Sequence, residues 1–262
     1  MSERIQKLLA RAGYGSRREV DRWLGEGLIE VNGELATPGD RASAEDQVTL
    51  RGKLLSFKSI TQFKARVIMY HKPIGEVVSR SDPQGRPTVF DNIPEMKTSR
   101  WISVGRLDIN TVGLLIFTND GELAHKLMHP SSEIEREYAV RVLGDVTQDS
   151  LRAMKEGVKV DGYIAKFDDI QKGAGDENSA NQWYHVVLRE GKKREVRRLW
   201  GSQGYKVNRL IRVRYGSLRL ERELRPGRWR ELSGQEMQSV YADAGMQAPD
   251  RPSSKRVHKP WR

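Results

Sequence analysis

The apolar positions of the first 55 residues predict two short helices followed by a small hairpin. Residues 5–12 place their apolar side chains on one helical face, and Gly13 would end that helix. Ser16 and Glu19 have the spacing of a capping box, which predicts the start of a second helix. Residues 28–35 alternate like two strands on either side of an Asn-Gly turn. The pattern therefore predicts a small helix-helix-hairpin unit.

A second pattern begins after residues 56–65, whose weak periodicity we interpret as a linker. An alternating strand is predicted for residues 66–70, a turn for 71–75 and a returning strand for 76–79. Residues 81–87 then form a loop with two prolines and a glycine. That loop is interpreted either as a segment that reaches a substrate or as an ordinary surface hairpin.

One acidic residue, Asp108, stands in a short loop between two apolar runs. Residues 101–104 precede the loop, and residues 114–117 form a stiff apolar strand behind it. A carboxylate held in this way is a candidate for chemistry, although a lone aspartate in a loop is more often a turn residue. A second acidic residue, Asp120, is predicted to cap a helix over residues 121–129.

The remaining strands and helices follow one another without the regular alternation of a parallel sheet. Strands are predicted at 135–143, 182–189 and 205–215, a hairpin at 158–165, and helices at 147–157, 193–202 and from Ser233. This mixture predicts an α+β fold on a mostly antiparallel mixed sheet. We divide the chain into a small domain at 1–60, a larger domain at 61–245 and a basic disordered tail at 246–262.

The composition narrows the classes of protein. Hydrophobic residues make up 37% of the chain and charged residues 31%, which is typical of a globular protein with a highly charged surface. No apolar run has the length of a membrane-spanning helix, and the first residues lack the apolar core of a signal peptide. The absence of cysteine excludes disulfides, thiol catalysis and iron-sulfur clusters. We expect a cytoplasmic protein that does not enter a membrane.

The positive charge is confined to one segment. Residues 189–230 contain 15 Lys or Arg and 4 Glu, a net charge of +11 that equals the net charge of the whole chain. The segment also carries four aromatic residues, Trp200, Tyr205, Tyr215 and Trp229. Basic residues interleaved with aromatics suit a nucleic acid with exposed bases. The alternative is a solvated basic face above ordinary core aromatics.

Several kinds of site can be set aside from their motifs. Asp108 begins a pattern similar to a calcium loop, but Val112 and Asn119 occupy positions that need other ligands. The chain has neither a Gly-x-x-x-x-Gly-Lys loop nor a convincing Gly-x-Gly-x-x-Gly after a strand, which argues against nucleotide hydrolysis and a Rossmann methyltransferase. His125 and His129 have a metal-binding spacing but no third ligand nearby. We expect no metal site.

The N-terminal unit resembles the S4 RNA-binding domain. The resemblance rests on residues 11–20, Arg-Ala-Gly-Tyr-Gly-Ser-Arg-Arg-Glu-Val, and on residues 29–33, Ile-Glu-Val-Asn-Gly. It implies that Arg11, Arg17 and Arg18 contact RNA phosphates, which would add affinity without reading bases. Without the resemblance, the same arginines would be taken for a solvated helix face.

The stretch around Asp108 resembles the signature loop of the RsuA-type pseudouridine synthases. Residues 105–121 contain the run Gly-Arg-Leu-Asp-x-x-Thr-x-Gly-Leu-Leu-x-x-Thr-Asn-Asp-Gly, and three further stretches match in order, at 137–140, 193–199 and 209–216. Together with the S4 resemblance, the match reaches from the N-terminus to about residue 243. The sequences at 135–138 and 190–200 are most similar to those of family members that modify the large-subunit 23S rRNA.

The resemblance implies a reaction and a set of residues that carry it. Asp108 would attack or deprotonate a uridine in RNA and release its uracil from the ribose, after which the base rotates and rejoins through carbon 5. Arg197 would hold the carboxylate in position, Tyr138 would stack on the flipped base and Leu210 would pack beside it. Arg106 would occupy the vacated space or bind a phosphate. Because both bonds change within one nucleotide, no cofactor is implied.

Four further cationic residues of the matching stretches are expected to contact the substrate: Lys193, Arg194, Arg198 and Arg212. Taken without the family, Tyr138 is an ordinary strand aromatic, Leu210 is a core residue and Arg197 is a phosphate contact. The expected partner is ribosomal RNA, most closely 23S, or a precursor of the large subunit, and the expected state is a monomer. The alternatives are a non-catalytic S4-type ribosome-assembly factor and an S4-containing RNA methyltransferase.

Overall fold

A computed structural model describes residues 2–57, 64–96, 99–174 and 179–249 of the chain. The chain divides into two compact units. The first contains residues 1–65, 94–102 and 119–121, and the second contains residues 66–93, 103–118 and 122–262. The predicted linker at 56–65 and the predicted tail at 246–262 lie largely outside the described residues.

The first unit contains two helices and six short strands. They are β1 (Glu3–Arg4), α1 (Ile5–Arg11), α2 (Arg17–Gly25), β2 (Ile29–Val31), β3 (Glu34–Leu35), β4 (Arg41–Ala42), β5 (Val48–Leu50) and β6 (Lys53–Leu54). Strands β3, β2, β5 and β6 form an antiparallel sheet in that order, and β1 pairs with β4. The predicted capping box is present, since the Ser16 hydroxyl accepts from Glu19 N at 3.1 Å and Ser16 N donates to the Glu19 carboxylate at 2.7 Å.

Both helices bury their apolar faces in one core with the sheet. The buried residues of this core include Ile5, Leu8, Leu9, Val20, Leu24, Ile29 and Val48. The three arginines expected to bind RNA are all exposed. Arg11 is ion-paired with Glu3 at 2.5 Å, whereas Arg17 and Arg18 occupy the first turn of α2. The core therefore fixes the helices and leaves their basic residues at the surface.

The second unit is built on a nine-stranded sheet. Its strands are β7 (Val67–Lys72), β8 (Ile102–Val104), β9 (Val112–Thr118), β10 (Arg136–Leu143), β13 (Asp169–Lys172), β14 (Asn181–Leu188), β15 (Lys206–Tyr215), β16 (Leu218–Arg219) and β17 (Trp229–Glu231). The main path runs β13-β14-β10-β15-β9-β7-β17, with β8 beside β9 and β16 beside β15. Within that path, β9 and β15 are parallel and the other pairs are antiparallel. The predicted α+β fold is confirmed.

Helices and a separate hairpin surround this sheet. They are α3 (Gly121–Met128), α4 (Gln148–Glu156), the hairpin β11 (Val158–Val160) and β12 (Tyr163–Ala165), α5 (Glu195–Ser202) and α6 (Gly234–Asp243). Trp200 of α5 packs against Tyr184 of β14, with ring centroids 5.1 Å apart and the rings tilted by 46°. That contact covers the sheet face that also carries Tyr138, because alternate residues of β10 point to the same side. No helix in the described part of the chain is long and apolar enough to cross a membrane.

Three of the sequence predictions are wrong in detail. Strand β7 continues through His71 and Lys72, which were predicted to form a turn, because both stay paired with β9. Residues 76–79 form no strand and make only an isolated parallel bridge from Val77 to Thr88. Helix α5 begins at Glu195 instead of residue 193, since Arg194 has a left-handed backbone with φ of 55°.

Candidate active site

Asp108 lies in the loop that connects β8 to β9, as the apolar runs predict. Leu107 and Thr111 are 6% and 2% exposed and anchor the loop on either side of it. The side chain of Asp108 is 39% exposed. The carboxylate is therefore open to solvent although Leu107 and Thr111 are buried.

The backbone of this loop is hydrogen-bonded at every carbonyl oxygen from residue 108 to residue 111. Each oxygen accepts one bond, and three of the four donors come from other parts of the chain. In order, the donors are Thr111 N (3.0 Å), Gly75 N (2.9 Å), Arg197 Nη2 (3.0 Å) and Lys72 Nζ (3.0 Å). A loop tied at consecutive positions has little freedom to move, so the position of the Asp108 carboxylate is set before any substrate binds.

Lys72 is a candidate functional residue that the sequence analysis missed. Its side chain is fully buried at the end of β7, and Nζ donates to the carbonyl oxygens of Thr111 and Pro73. Burial lowers the pKa of Lys72 to about 8, while the carboxylates of Glu76 and Asp108 act in the opposite direction. The signal in the sequence is a lysine at the end of an alternating strand, directly before Pro73.

Two arginines of the same segment, Arg194 and Arg197, lie near Asp108 and make different contacts. Arg194 Nη1 lies 3.8 Å from Asp108 Oδ2, so it is Arg194 that stands within ion-pair distance. Arg197, which was expected there, instead donates to Asn110 O and to Val207 O at 2.8 Å. Burial lowers the pKa of Arg197, the neighbouring Arg194 lowers it further, and Asp108 opposes both. Arg197 therefore acts on Asp108 through the loop backbone and its charge.

Strand β15 brings the expected base-contacting residues to the same part of the sheet as the Asp108 loop. Tyr138 on β10 is paired across the strands with Arg212, and Leu210 precedes the residue paired with Val112, where β9 begins. Tyr138 is 8% exposed and Leu210 5% exposed. Both side chains thus belong largely to the interior, and only a small part of each residue is exposed.

Arg212 does not occupy the position expected of a substrate contact. It is 2% exposed, its Nε donates to Leu114 O at 2.8 Å, and its guanidinium lies 5.1 Å from the centre of the Tyr215 ring. These interactions tie β15 to β9 inside the unit. The structure therefore favours a structural role for Arg212 over contact with RNA.

Gly113 is required for the close pairing of β9 with β15. A Cβ atom at this position would lie 2.3 Å from the carbonyl oxygen of Arg212, and the backbone φ of 115° is one that other residues rarely adopt. The glycine of the signature loop thus sets how closely the Asp108 loop approaches the strand that carries Leu210.

The remaining residues that were expected to contact the substrate differ in how exposed they are. Arg106 and Lys193 are exposed, whereas Arg198 is ion-paired at 2.7 Å with Asp161 in the turn between β11 and β12. Beside the loop is an open groove of about 600 Å³. Its lining includes Ile74, Asn110, Arg194, Arg197, Tyr205 and Lys206. A groove with three cations next to an open carboxylate suits a polyanionic substrate.

A larger depression, of about 690 Å³, lies on the opposite face of the sheet around Glu137 and Arg214. Its charged groups pair with one another, so its size is no indication of a reactive site. Within the described ranges, no group of three or more His, Asp or Glu side chains is arranged to hold a metal ion. His125 and His129 contact each other through their rings, with centroids 5.4 Å apart.

Comparison with known proteins identifies the family to which the chain belongs. The sequence profile described as RNA pseudouridylate synthase matches residues 66–200, and the S4 domain profile matches residues 3–48. The chain belongs to the RNA pseudouridylate synthase family. The resemblance drawn from the motifs is thereby confirmed, including the S4 domain in front of the synthase domain.

Curated relatives of this family match almost the whole chain. A protein of Pseudomonas aeruginosa named ribosomal large subunit pseudouridine synthase B is 50% identical over 94% of this chain, and the chain spans 64% of that relative's length. The Salmonella typhi protein of the same name is 49% identical over 97% of this chain and 87% of its own length. A solved crystal structure of a pseudouridylate synthase is 25% identical with a TM-score of 0.64, covering 90% of this chain and 99% of that one.

Proposed function

We propose that the protein converts a specific uridine of the large-subunit 23S rRNA to pseudouridine, with Asp108 as the reacting group. The observation that carries this proposal is the Asp108 loop, whose carbonyl oxygens at residues 108 to 111 are hydrogen-bonded while the carboxylate stays open. Family membership supplies the reaction, and the names of the relatives point to large-subunit RNA.

The reaction needs no second substrate. The bond from ribose C1′ to N1 of uracil breaks, a bond from C1′ to C5 forms, the C5 proton is lost and N1 is protonated. Asp108 acts as the nucleophile or as the base, and in either role it must be ionised. Arg194 places positive charge 3.8 Å from the carboxylate, and Arg197 binds the carbonyl oxygen of Asn110 in the same loop.

The uridine leaves the RNA stack to reach Asp108, at a cost of a few kcal/mol. Tyr138 and Leu210 supply the apolar surface against which the flipped base packs, and this contact offsets part of that cost. Arg106 fills the space left in the RNA or binds a phosphate beside it. These roles follow the family pattern, together with the position of β15 between β9 and β10.

Phosphate contacts on both units hold the RNA. In the synthase domain they come from three exposed or half-exposed cations, of which Arg194 lines the groove: Lys193, Arg194 and Arg198. In the S4 domain they come from Arg11, Arg17 and Arg18. The protein works as a monomer in the cytoplasm on free 23S rRNA or on a precursor of the large subunit.

The test is a map of pseudouridines in 16S and 23S rRNA from cells with and without the protein. We expect one or a few 23S positions to lose modification without it and to regain it with the wild-type chain but not with Asp108→Asn. If no position changes, the protein is not a synthase of these RNAs, and a non-catalytic RNA-binding role would replace it. Restored modification by Asp108→Asn would contradict the assignment of Asp108.

A further inference from the structure

The basic segment at residues 189–230 carries four aromatic residues, and the structure separates them. Trp200 and Tyr215 are buried at 0% and 1% exposure, and the Tyr205 hydroxyl accepts a hydrogen bond from Thr147 N at 3.1 Å. Trp229 is 37% exposed and stands on the edge strand β17. Of the four, Trp229 thus offers the largest accessible ring for stacking on a base.

The arginines next to Trp229 also fall into two groups. Arg230 donates hydrogen bonds to the carboxylates of Glu236 and Glu221, and these bonds raise its pKa. The other group contains three exposed arginines that have no ion pair with any described carboxylate: Arg222, Arg225 and Arg228. We name residues 222–229 the arginine loop. Its unpaired cations have no evident role in holding the fold.

The arginine loop is fixed to the sheet by three hydrogen bonds to one residue of β7. His71 N donates to Arg228 O at 2.9 Å, Gly227 N donates to His71 O at 2.8 Å, and His71 Nδ1 lies 2.6 Å from Leu224 O. A further bond within the loop joins Arg228 N to Arg225 O at 3.1 Å. The backbone is therefore held in place while the arginine side chains extend into solvent.

The loop also lies at the same end of the sheet as Asp108. Trp229 pairs with Tyr70 on β7, and two residues later Lys72 pairs with Gly113, just after the Asp108 loop. Neighbouring strands are about 4.8 Å apart, so β17 and β9 are separated by roughly 10 Å. An RNA strand that crosses β7 from the reacting uridine would meet the arginine loop within a few nucleotides.

We propose that the arginine loop is a binding subsite for single-stranded RNA that flanks the target uridine. One unpaired base stacks on Trp229, and phosphates of the same strand contact Arg222, Arg225 and Arg228. The subsite rests on the proposed function, because the flanking strand is that of the RNA being modified. It gives the synthase domain an RNA contact on the β17 side of Asp108, in addition to the groove on the α5 side.

The experiment measures the affinity of a 23S rRNA fragment that contains the mapped uridine with several nucleotides on each side. All variants carry Asp108→Asn so that binding is measured without reaction. We expect Trp229→Ala to weaken binding about tenfold and Trp229→Phe to restore most of it. Replacing Arg222, Arg225 and Arg228 by Ala should also lower the slope of log affinity against log salt by up to about 3. Arg152→Ala, a 69% exposed arginine on α4, is the matched control and should change little.

Shortening the RNA makes the test specific to the flank. When the nucleotides on one side of the uridine are removed, wild-type and arginine-loop variants should bind equally well. Unchanged affinity in Trp229→Ala and the triple arginine variant, or the same loss with every shortened RNA, would overturn the subsite. Failure of the proposed function looks different, because the chain with Asp108 intact would then form no pseudouridine in this fragment, whatever its affinity.

Discussion

Asp108 and Glu137 are both carboxylates beside arginines of the synthase domain, but different atoms of the two residues are hydrogen-bonded. Glu137 is 14% exposed; one of its oxygens lies 2.9 Å from His185 Nδ1, and the other accepts from Arg214 Nε at 2.9 Å. Asp108 is 39% exposed and has one arginine at 3.8 Å, while its backbone carbonyl oxygen and the three that follow are bonded. The Glu137 carboxylate makes hydrogen bonds that stabilise the fold. At Asp108 the hydrogen bonds hold the backbone, and the carboxylate remains accessible to a substrate.

The largest expected effect is that of Asp108→Asn. The change keeps the shape of the side chain and removes the charge and the nucleophile, so we expect the single-turnover rate to fall by at least about 10⁴-fold. The melting temperature should stay within error of the wild type, since the carboxylate makes one long contact. A strong loss of stability would show that Asp108, like Glu137, is a structural carboxylate.

Lys72→Met tests whether the bonded backbone is what positions Asp108. The variant keeps the volume but leaves the carbonyl oxygens of Thr111 and Pro73 without their donor. We expect about 10²-fold slower turnover, because small displacements of a reacting group are costly, with a loss of stability of about 1–3 kcal/mol. Lys166→Met, at an exposed position, is the control. Wild-type turnover in a folded Lys72→Met chain would argue against preorganisation of the loop.

Glu137→Gln should affect stability and leave the single-turnover rate unchanged. Burial alone would raise the pKa of Glu137, but hydrogen bonds from Arg214 and His185 outweigh it, so the pKa is lowered. The charged form therefore adds stability above the ordinary carboxyl pKa of 4.5, and this contribution is lost as the pH falls through the lowered value. We expect a loss of about 1–3 kcal/mol at pH 7 and a smaller difference in acid, measured by urea unfolding. Glu156→Gln, at an exposed site, is the control.

Arg194→Gln should have the smallest effect. Arg194 and Asp108 are both about 40% exposed, and an ion pair of this kind contributes at most about 1 kcal/mol. We expect turnover to fall less than about tenfold, with the difference shrinking at high salt, and Arg194→Lys to recover most of it. A hundredfold loss that is independent of salt would mean that Arg194 contacts the reacting base.

Local signals predicted most of the elements and the loop that carries Asp108. Capping residues marked the helices that follow Ser16 and Ser233, and each of these side chains accepts a hydrogen bond at its helix start. The motif around Asp108 identified the loop. Strands β13 and β17 were missed because short polar edge strands have no clear alternation.

The arrangement around Asp108 could not be predicted from local pattern. The strand containing Lys72 was ended too early because Pro73 and Gly75 suggested a turn, and a lysine at a strand end does not by itself show that its side chain is buried. Which of Arg194 and Arg197 lies nearer to Asp108 depends on the left-handed backbone of Arg194, directly before α5. Contacts of this kind are set by tertiary packing, which joins residues far apart in the chain.

The central position of β15 also has a consequence for the order in which the protein is made. This strand joins β10 on one side to β9 on the other, so the main sheet is two separate pieces until residues 206–215 have been synthesised. The pairing of Ile211 with Val112 closes a loop of about a hundred residues, and such non-local contacts form slowly during folding. A nascent chain that has emerged only as far as α5 contains Asp108 and Arg197. It still lacks β15, and with it Leu210. We therefore expect catalytic competence to arise late and in one step, when β15 inserts between its neighbours.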